Sequence, residues 1–295
     1  MKFRNILTFA ILFPSIAWSQ GNSSKSQLQG PYLGQKAPGN TPQVFAPGIV
    51  STDAHEFSCS FTPDGKEFYF TRRGPELNRN LIMVAKQIKD TWTEPEVAPF
   101  IENRVAFEPI ATPDGKRLYF SVQEGMQMNM CYVEREGDNW KAIKNPGHPF
   151  NPMKSMYVSM TLGGTIYTTD ISEGPGREGI AVIKRINGQY RELERLGPPI
   201  NVGKQEMYPF IAPDESYLIF NSTRTVEKIN SGLFISFKKQ DGTWSDPQAI
   251  DVGMDAGCPI VSPDGKYFFF TAGERKKSDI YWVDAKFIEE LRPKE

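Results

Sequence analysis

The sequence predicts an all-β protein, a five-bladed β-propeller whose blades are four-stranded antiparallel sheets. Three observations lead to this prediction. The chain repeats about every 50 residues, a tight-turn motif recurs at the same place in each repeat, and an N-terminal segment resembles an outer strand. Repeats of roughly this length, each holding four short strands, are typical of propeller blades.

Five segments of the chain align on a tight turn. The turn positions are evenly spaced, 49 to 51 residues apart: Asp64, Asp114, Gly163, Asp214 and Asp264. Four of them follow a proline, which presets the φ angle of the second turn position, and the aspartate bonds to nearby backbone. The third unit departs from the motif with Leu162-Gly163-Gly164, and the fourth has Glu215 where the others have Gly. Each motif predicts a hairpin that joins the first and second strands of one blade.

The residues after most of these turns are bulky on both faces, which predicts second strands packed between neighbouring layers. These runs are Phe68–Phe70, Leu118–Phe120, Tyr217–Phe220 and Tyr267–Phe270. Third strands are predicted at Leu81–Lys86, Met130–Arg135, Gly179–Arg185, Leu233–Lys238 and Ile280–Asp284. A further turn then precedes an aromatic residue that begins the fourth strand: Trp92, Trp140, Tyr190 or Trp244. One aromatic residue per blade at this repeat position indicates packing of the outer strand rather than a carbohydrate-binding surface.

The two chain ends complete the count of strands. No aromatic-led fourth strand follows Ile280–Asp284, whereas Pro42–Val50 precedes the first unit and resembles Glu94–Ile101. We therefore expect the N-terminal strand to pair into the last blade, which closes the ring and covers an open sheet edge.

The N-terminus has the pattern of a signal peptide. Lys2 and Arg4 precede an apolar run of about 13 residues, too short for the ~20 that a spanning helix needs, and cleavage is expected before Gln20. The predicted domains are a signal peptide at 1–19, a Gly-, Ser- and Pro-rich flexible linker at 20–40, and one propeller domain at 41–295. Export to the periplasm or the extracellular space follows from this pattern.

Composition excludes several classes of function. The net charge of -1 argues against a nucleic-acid binder, and no later apolar stretch is long enough to span a membrane. Two His and three Cys cannot build a His-rich metal site or a disulfide scaffold. Cys59 and Cys258 are predicted to be buried on first strands of adjacent blades, with a disulfide between them left open. A monomer without cofactor is expected.

The motifs described above resemble a known family. The Pro-Asp-Gly turns, the aromatic strands after them and the third strand Asp279–Asp284 are similar to the WD40-like repeats of TolB-like β-propellers. The resemblance covers roughly Pro42 to Asp284. It implies an exported propeller, and members of this group include interaction modules, domains attached to peptidases and a branch of oligogalacturonate lyases. The resemblance therefore implies a fold more firmly than a chemistry.

In propellers of this kind the first strands line the central channel. One end of the channel, here called the loop end, is where the chain enters each first strand and crosses from the second to the third strand. Carboxylates, tyrosines and arginines are predicted to converge there, and the candidate ligand-binding residues are Glu56, Arg72, Glu108, Tyr157, Glu206, Tyr208, Arg224 and Arg275. Arginine can fork onto a carboxylate, and tyrosine can stack on or bond to a sugar or peptide. The alternative is that these Glu and Arg side chains pair with each other.

The predicted function is a non-catalytic exported propeller that binds a protein, peptide or glycan on its channel face. One alternative is a glycan-active hydrolase, which needs two carboxylates about 5–10 Å apart; Glu56, Glu108 and Glu206 are the candidates. A second alternative is a scaffold component of an envelope assembly. An all-oxygen site for a divalent cation at Asp53, Glu56 and Asp255 is also left open.

Overall fold

The computed structural model describes residues 28–74, 79–152, 154–224, 232–274 and 277–294. The signal peptide predicted at 1–19 lies outside these residues. The described chain is nearly all β, and its strands form five antiparallel sheets arranged as the blades of a propeller. The predicted fold class is confirmed.

Each blade is a meander whose innermost strand is the first strand of its repeat. The earliest strand of the chain, β1 (Gln43–Val44), is not one of these and belongs to the last blade. Blade 1 contains β2 (His55–Phe61), β3 (Glu67–Arg73), β4 (Asn80–Ile88), β5 (Thr91–Trp92) and β6 (Glu96–Val97). Blade 2 contains β7 (Val105–Ala111), β8 (Arg117–Glu124), β9 (Gln127–Glu136) and β10 (Asn139–Trp140). Blade 3 contains β11 (Ser155–Met160), β12 (Ile166–Asp170), β13 (Gly179–Ile186) and β14 (Gln189–Arg195).

The remaining elements complete the ring. Blade 4 contains β15 (Glu206–Ile211), β16 (Tyr217–Ser222), β17 (Gly232–Phe237) and β18 (Gln248–Ile250). Blade 5 contains β19 (Ala256–Val261), β20 (Tyr267–Glu274), β21 (Lys277–Asp284) and the early strand β1. Short helical segments lie at Tyr32–Gly34, Pro99–Ile101 and α1 (Phe287–Glu290). In blade 1 the outer position is shared by β5 and β6, which both pair with β4.

The N-terminal strand closes the ring as the sequence predicts. Gln43 pairs with Trp282 and Val44 with Tyr281, so β1 is the outer strand of blade 5. The next residue, Phe45, donates its backbone N–H to the carbonyl of Ile280 at 2.8 Å and is fully buried. The last blade therefore contains both ends of the propeller.

The tight turns are stabilised by a recurring pair of side chains. Thr62 Oγ1 donates to Asp64 Oδ1 at 2.6 Å, and Asp64 Oδ1 also accepts the backbone N–H of Lys66 at 3.1 Å. The second and fifth turns repeat this arrangement with Thr112–Asp114 and Ser262–Asp264. The turn of blade 3 lacks the aspartate, but Gly164 takes a φ of 85° there and the hairpin forms. This departure from the motif is therefore tolerated by the fold.

Two of the outer aromatic residues, Trp140 and Trp244, pack against the preceding blade. Trp140 of blade 2 lies 6.4 Å from the ring of Tyr69 in blade 1 and donates its Nε1–H to the Tyr69 hydroxyl at 2.7 Å. Trp244 of blade 4 meets Tyr167 of blade 3 at 6.2 Å in the same edge-on manner. Trp244 itself forms only an isolated bridge, because the fourth strand of that blade begins later, at Gln248. These contacts agree with a structural role for the repeated aromatic position.

The three cysteines contribute to the core. Cys59, Cys131 and Cys258 are buried and unbonded. Burial raises the pKa of each thiol, to about 11 for Cys131. All three behave as small apolar side chains in this structure.

Residues 28–40, which composition assigns to a flexible linker, pack on the propeller. Gln29 bridges Thr91 at the outer edge of blade 1, and Trp92 Nε1 donates to the carbonyl of Gly30 at 2.8 Å. Leu33 is fully buried, and the ring of Tyr32 contacts four aromatic rings of blades 1 and 5: Phe61, Tyr267, Phe269 and Trp282. Two apolar anchors therefore fix a segment whose Gly and Pro content suggests a linker. The domain boundary at 41 stays a prediction.

Tyr32→Phe tests the contribution of this arm. The Tyr32 hydroxyl donates to Asp264 Oδ1 at 2.5 Å, and we expect its loss to lower the free energy of unfolding by about 1–2 kcal/mol at pH 7. Burial opposes ionisation of Asp264, but hydrogen bonds from Tyr32, Ser262 and Lys266 outweigh it and lower the pKa to about 2. A depressed carboxyl pKa stabilises the fold above about pH 4, and the benefit disappears as the pH falls through about 2. Urea unfolding of the wild type and the variant at pH 7 and at pH 2 measures the effect, and an equal loss at both pH values would contradict the expectation.

Candidate functional site

Each first strand is interrupted by a bulge at the same repeat position, six residues before the turn position. The five bulged residues all have a positive φ, between 47° and 59°: Ser58, Glu108, Tyr157, Tyr208 and Cys258. The pairing register between the first and second strands shifts at each of these points. Left-handed backbone is unfavourable for residues with a side chain, so its recurrence in five blades marks a feature that the fold imposes. We call these residues the bulge ring.

Side chains of the preceding blade hold the bulges in place. The backbone N–H of Glu108 donates to Thr71 Oγ1 at 2.9 Å. In two other seams the same bond joins Tyr208 N–H to Thr169 Oγ1 at 2.9 Å and Ser58 N–H to Thr271 Oγ1 at 3.1 Å. In these three seams the bulge of one blade is thus linked to the second strand of the preceding blade.

Two tyrosines of the bulge ring lie across the channel. Tyr157 of blade 3 donates its hydroxyl to the carbonyl of Pro259 in blade 5 at 3.0 Å, and its ring meets that of Tyr208 edge-on at 5.3 Å. Burial raises the pKa of both phenols well above the usual value, and the neighbouring Cys258 and Glu108 raise it further. Both hydroxyls therefore stay protonated, and the two rings form a narrow waist.

Glu108 is a buried carboxyl group in the bulge ring. Glu108 is 4% exposed, and among the described residues no Lys or Arg forms an ion pair with its carboxyl group. Burial raises its pKa to about 8, although a 3.3 Å hydrogen bond from Ser121 Oγ opposes the shift. The group is therefore mostly protonated at neutral pH, and a neutral carboxyl can donate as well as accept a hydrogen bond.

The other two candidate catalytic carboxylates share a different repeat position, eight residues before the turn. Glu56 Oε1 accepts a hydrogen bond from Arg72 Nε at 2.7 Å and another from the hydroxyl of Thr52 at 2.7 Å. Glu206 lies 3.6 Å from Arg224 Nη2 and accepts the backbone N–H of Gly203 at 2.6 Å. Each carboxylate is buried and paired within its own blade.

The structure thus divides the predicted binding residues into two groups. Glu108, Tyr157 and Tyr208 come together at the waist, whereas Glu56–Arg72 and Glu206–Arg224 form separate ion pairs. Arg275 lies outside the described residues. The ligand-binding role assigned to these residues from the sequence stays a prediction, and the pairing alternative describes the contacts of Glu56 and Glu206.

A cavity of about 350 Å³ opens at the other end of the channel, here called the turn end. Tyr157 lies at its base, and apolar side chains from all five blades form its wall, including Phe61, Ile110, Met160, Ile211 and Val261. Its mouth is formed by the residues that precede the turn positions: Pro63, Pro113, Leu162, Pro213 and Pro263. The prolines that fix the turns therefore also form an apolar rim.

Two serines in the cavity wall are already hydrogen-bonded. Ser60 Oγ accepts the backbone N–H of Ala111 at 3.0 Å, and Ser159 Oγ accepts that of Ile211 at 2.7 Å. Both bonds join adjacent blades. These two hydroxyls thus serve the seams, and the cavity offers a ligand mainly apolar surface.

The chain is similar to known proteins in its fold. No protein-family model matches the chain, and no curated protein matches it by sequence. Among solved structures, TolB from Acinetobacter baumannii aligns at a TM-score of 0.50 and 16% identity, over 80% of this chain and 53% of that chain. A putative TolB from Agrobacterium tumefaciens aligns at 0.51 and 18%, over 79% of this chain and 78% of that chain. The fold is a TolB-like β-propeller.

The same fold also occurs in an enzyme. A sucrose-6-phosphate hydrolase from Lactobacillus gasseri aligns with this TolB-like propeller at a TM-score of 0.53 and 13% identity, over 77% of this chain and 57% of that chain. The chain spans about half the length of the Acinetobacter TolB. At these identities the likeness shows the fold alone, and a fold hosts many chemistries.

The described parts of the TolB-like propeller hold neither a cluster of metal-ligating side chains nor a membrane-spanning helix. No group of three or more His, Cys, Asp and Glu side chains there could hold a metal ion. Asp53 is bonded by Lys277 Nζ at 3.1 Å and Glu56 by Arg72, so the cation site left open by the sequence stays a prediction. None of the described helices has the length and apolar character needed to cross a membrane.

Proposed function

We propose that this TolB-like propeller is a non-catalytic binding protein that receives an apolar side chain of a protein or peptide in the turn-end cavity. The observation that carries the proposal is the cavity itself. It has about 350 Å³, lies on the channel axis and takes lining residues from every blade. Ligand sites in proteins are commonly concave and mostly apolar, with volumes of about 300–1,000 Å³.

The chemistry of the wall favours a protein or peptide over a glycan. A sugar needs several hydrogen-bond partners for its hydroxyls, because burying unpaired polar groups is costly. Ser60 and Ser159 already serve the seams between blades. Exposed apolar groups at the mouth, such as Leu162 with 70% exposure, gain instead from covering by an apolar partner.

The geometry gives less support to the hydrolase alternative. A carboxylate pair for glycoside hydrolysis needs two groups that both face the substrate. Glu56 and Glu206 are each engaged by an arginine, and neither they nor Glu108 line the turn-end cavity. Export of the protein is part of the proposal and follows from the signal pattern at 1–19.

The test is a selection of peptides on the wild-type protein from a random display library. We expect enriched peptides to contain large apolar residues and to lose affinity at least about tenfold for Leu162→Glu, because a carboxylate at the mouth must be desolvated. Met160→Glu, which changes the cavity wall, should have the same effect. Calorimetric titration of the best peptide against each variant measures it.

Met126→Glu is the matched control. Met126 is 96% exposed in the loop between β8 and β9, away from the turn end, and the substitution adds the same charge. Peptides that bind Leu162→Glu and Met160→Glu as tightly as the wild type would overturn the proposal. A library without enrichment over an unrelated protein would also count against it.

A further inference from the structure

A second cavity lies at the loop end, in the seam between blades 1 and 2. It has a volume of about 340 Å³ and is lined by Arg73, Arg79, Asn80, Val105, Gln123 and Gly125. It is separate from the turn-end cavity, so its assignment is independent of the function proposed above. Among the described residues that line it, Arg73, Arg79, Asn80 and Gln123 have side chains that donate hydrogen bonds, and none is acidic.

Strand pairing places these groups opposite one another. Arg73, the last residue of β3, pairs with Asn80, the first residue of β4. In blade 2, Val105 at the start of β7 pairs with Gln123 near the end of β8. Two strand pairs of adjacent blades therefore form the two walls of the cavity, and rigid elements position the polar groups.

The arginines give the cavity its charge. Arg79 Nη1 donates to the backbone carbonyl of Asn103 at 3.3 Å, a bond that orients the guanidinium. Within the described ranges this contact engages one of its five N–H donors. Arg73 lines the cavity from the neighbouring strand. Two guanidinium groups at one cavity are suited to a carboxylate or a phosphate, which accept paired N–H bonds.

The amides indicate what else the ligand carries. Asn80 Oδ1 is buried and has no hydrogen-bond partner among the described residues. Such unpaired acceptors are uncommon in folded proteins. Gln123 Nε2 donates to the carbonyl of Gly125 at 3.1 Å, which leaves its Oε1 as an acceptor for a ligand. Hydroxyl groups are the donors that would satisfy both amide oxygens.

We propose that this cavity binds a small polyhydroxylated anion, with its charged group on Arg73 and Arg79 and a hydroxyl on Asn80. A volume of about 340 Å³ suits a ligand of monosaccharide size. A sugar acid and a sugar phosphate share this chemistry, and the experiment distinguishes them.

The experiment is a calorimetric titration at low ionic strength with four probes: D-galactonate, D-galactose 6-phosphate, galactitol and acetate. Galactonate and galactitol differ only at one terminal carbon, which is a carboxylate in the first and an alcohol in the second. Acetate has the charge without hydroxyls. We expect galactonate or the phosphate to bind at least about tenfold more tightly than both galactitol and acetate. The tighter of the two anions identifies the charged group.

Variants locate the binding. Arg79→Gln should weaken the tighter anion at least about tenfold. Asn80→Ala should reduce the preference for galactonate over acetate, because it removes the acceptor for a hydroxyl. Arg104→Gln is the control, since Arg104 adjoins Val105 in sequence but its side chain pairs with Glu102 and lines another cavity. It should change affinity less than twofold.

Several results would overturn the proposal. They are binding of neither anion, galactonate binding no tighter than acetate, and an affinity that Arg79→Gln leaves unchanged. If Arg79→Gln unfolds at a lower temperature than the wild type and cannot be assayed, Arg73→Gln provides the same test from the other strand.

Discussion

Glu108→Gln is expected to stabilise the propeller by about 3–5 kcal/mol at and above pH 8, with a change of less than about 1 kcal/mol at pH 5. Glutamine has the size of a protonated glutamic acid and carries no charge. Burial raises the pKa of Glu108 to about 8 from an ordinary value near 4.5. At high pH the wild type must therefore lose this proton and hold a negative charge in a buried site, and the variant need not.

The direction follows from proton binding in the two states. Below about pH 4.5 both the folded and the unfolded protein hold the proton, so the raised pKa costs nothing. Between about 4.5 and 8 the folded state keeps a proton that the unfolded state has lost, and the free energy of unfolding falls by about 1.4 kcal/mol per pH unit. Above about 8 both states are ionised at this position and the loss is complete.

Urea unfolding from pH 5 to pH 9 measures the difference between the wild type and the variant. Glu290→Gln, which removes an exposed carboxyl group from α1, is the control and should change stability by less than about 0.5 kcal/mol throughout. A Glu108→Gln variant that is destabilised equally at all pH values would show that Glu108 is ionised in the folded state.

Phe45→Ala is expected to lower the free energy of unfolding by about 3–5 kcal/mol. Phe45 is fully buried, and its ring lies 5.1 Å from each of the rings of Phe68, Phe269 and Trp282. It follows β1, the strand that completes blade 5, and one of those rings belongs to blade 1. The substitution therefore removes packing between the first and the last blade.

The measurement is again urea unfolding, with Ile88→Ala as control. Ile88 is the last residue of β4 and is 59% exposed, so its truncation should cost less than about 1 kcal/mol. A loss below about 1 kcal/mol for Phe45→Ala would mean that the ring closes without this contact. Loss of blades 1 and 5 in a separate transition would instead show that the closure holds only these two blades.

The fold could be predicted because its signals are local and repeated. Pro63-Asp64-Gly65 and its counterparts determine where hairpins form, and an aromatic run after each turn determines which strands are buried. Closure by β1 was predictable since Pro42–Val50 resembles Glu94–Ile101. The third unit shows the limit of the motif, because its turn forms around Gly164 without the aspartate.

The candidate sites were less predictable because they depend on geometry between blades. Glu56 and Glu108 lie close in the repeat pattern, yet one pairs with Arg72 and the other is buried without an ion pair among the described residues. The turn-end cavity arises where the first strands of all five blades end around one axis. The presence of Leu162 in the sequence does not by itself indicate that a cavity forms there. Arg79 immediately precedes β4 and Asn80 begins it, and only the packing of blade 1 against blade 2 brings them into one cavity with Gln123.

At the left-handed bulges, the backbone contacts that hold the channel together are independent of the side chains that line it. In three seams the contact with the preceding blade is made by the main-chain N–H of the bulged residue, at Ser58, Glu108 and Tyr208, and so does not depend on the identity of its side chain. Those positions already carry a hydroxyl, a carboxyl and a phenol on one backbone geometry. The side chains at these positions can change one at a time during evolution without shifting a strand. Relatives with the same backbone arrangement therefore need not share a ligand.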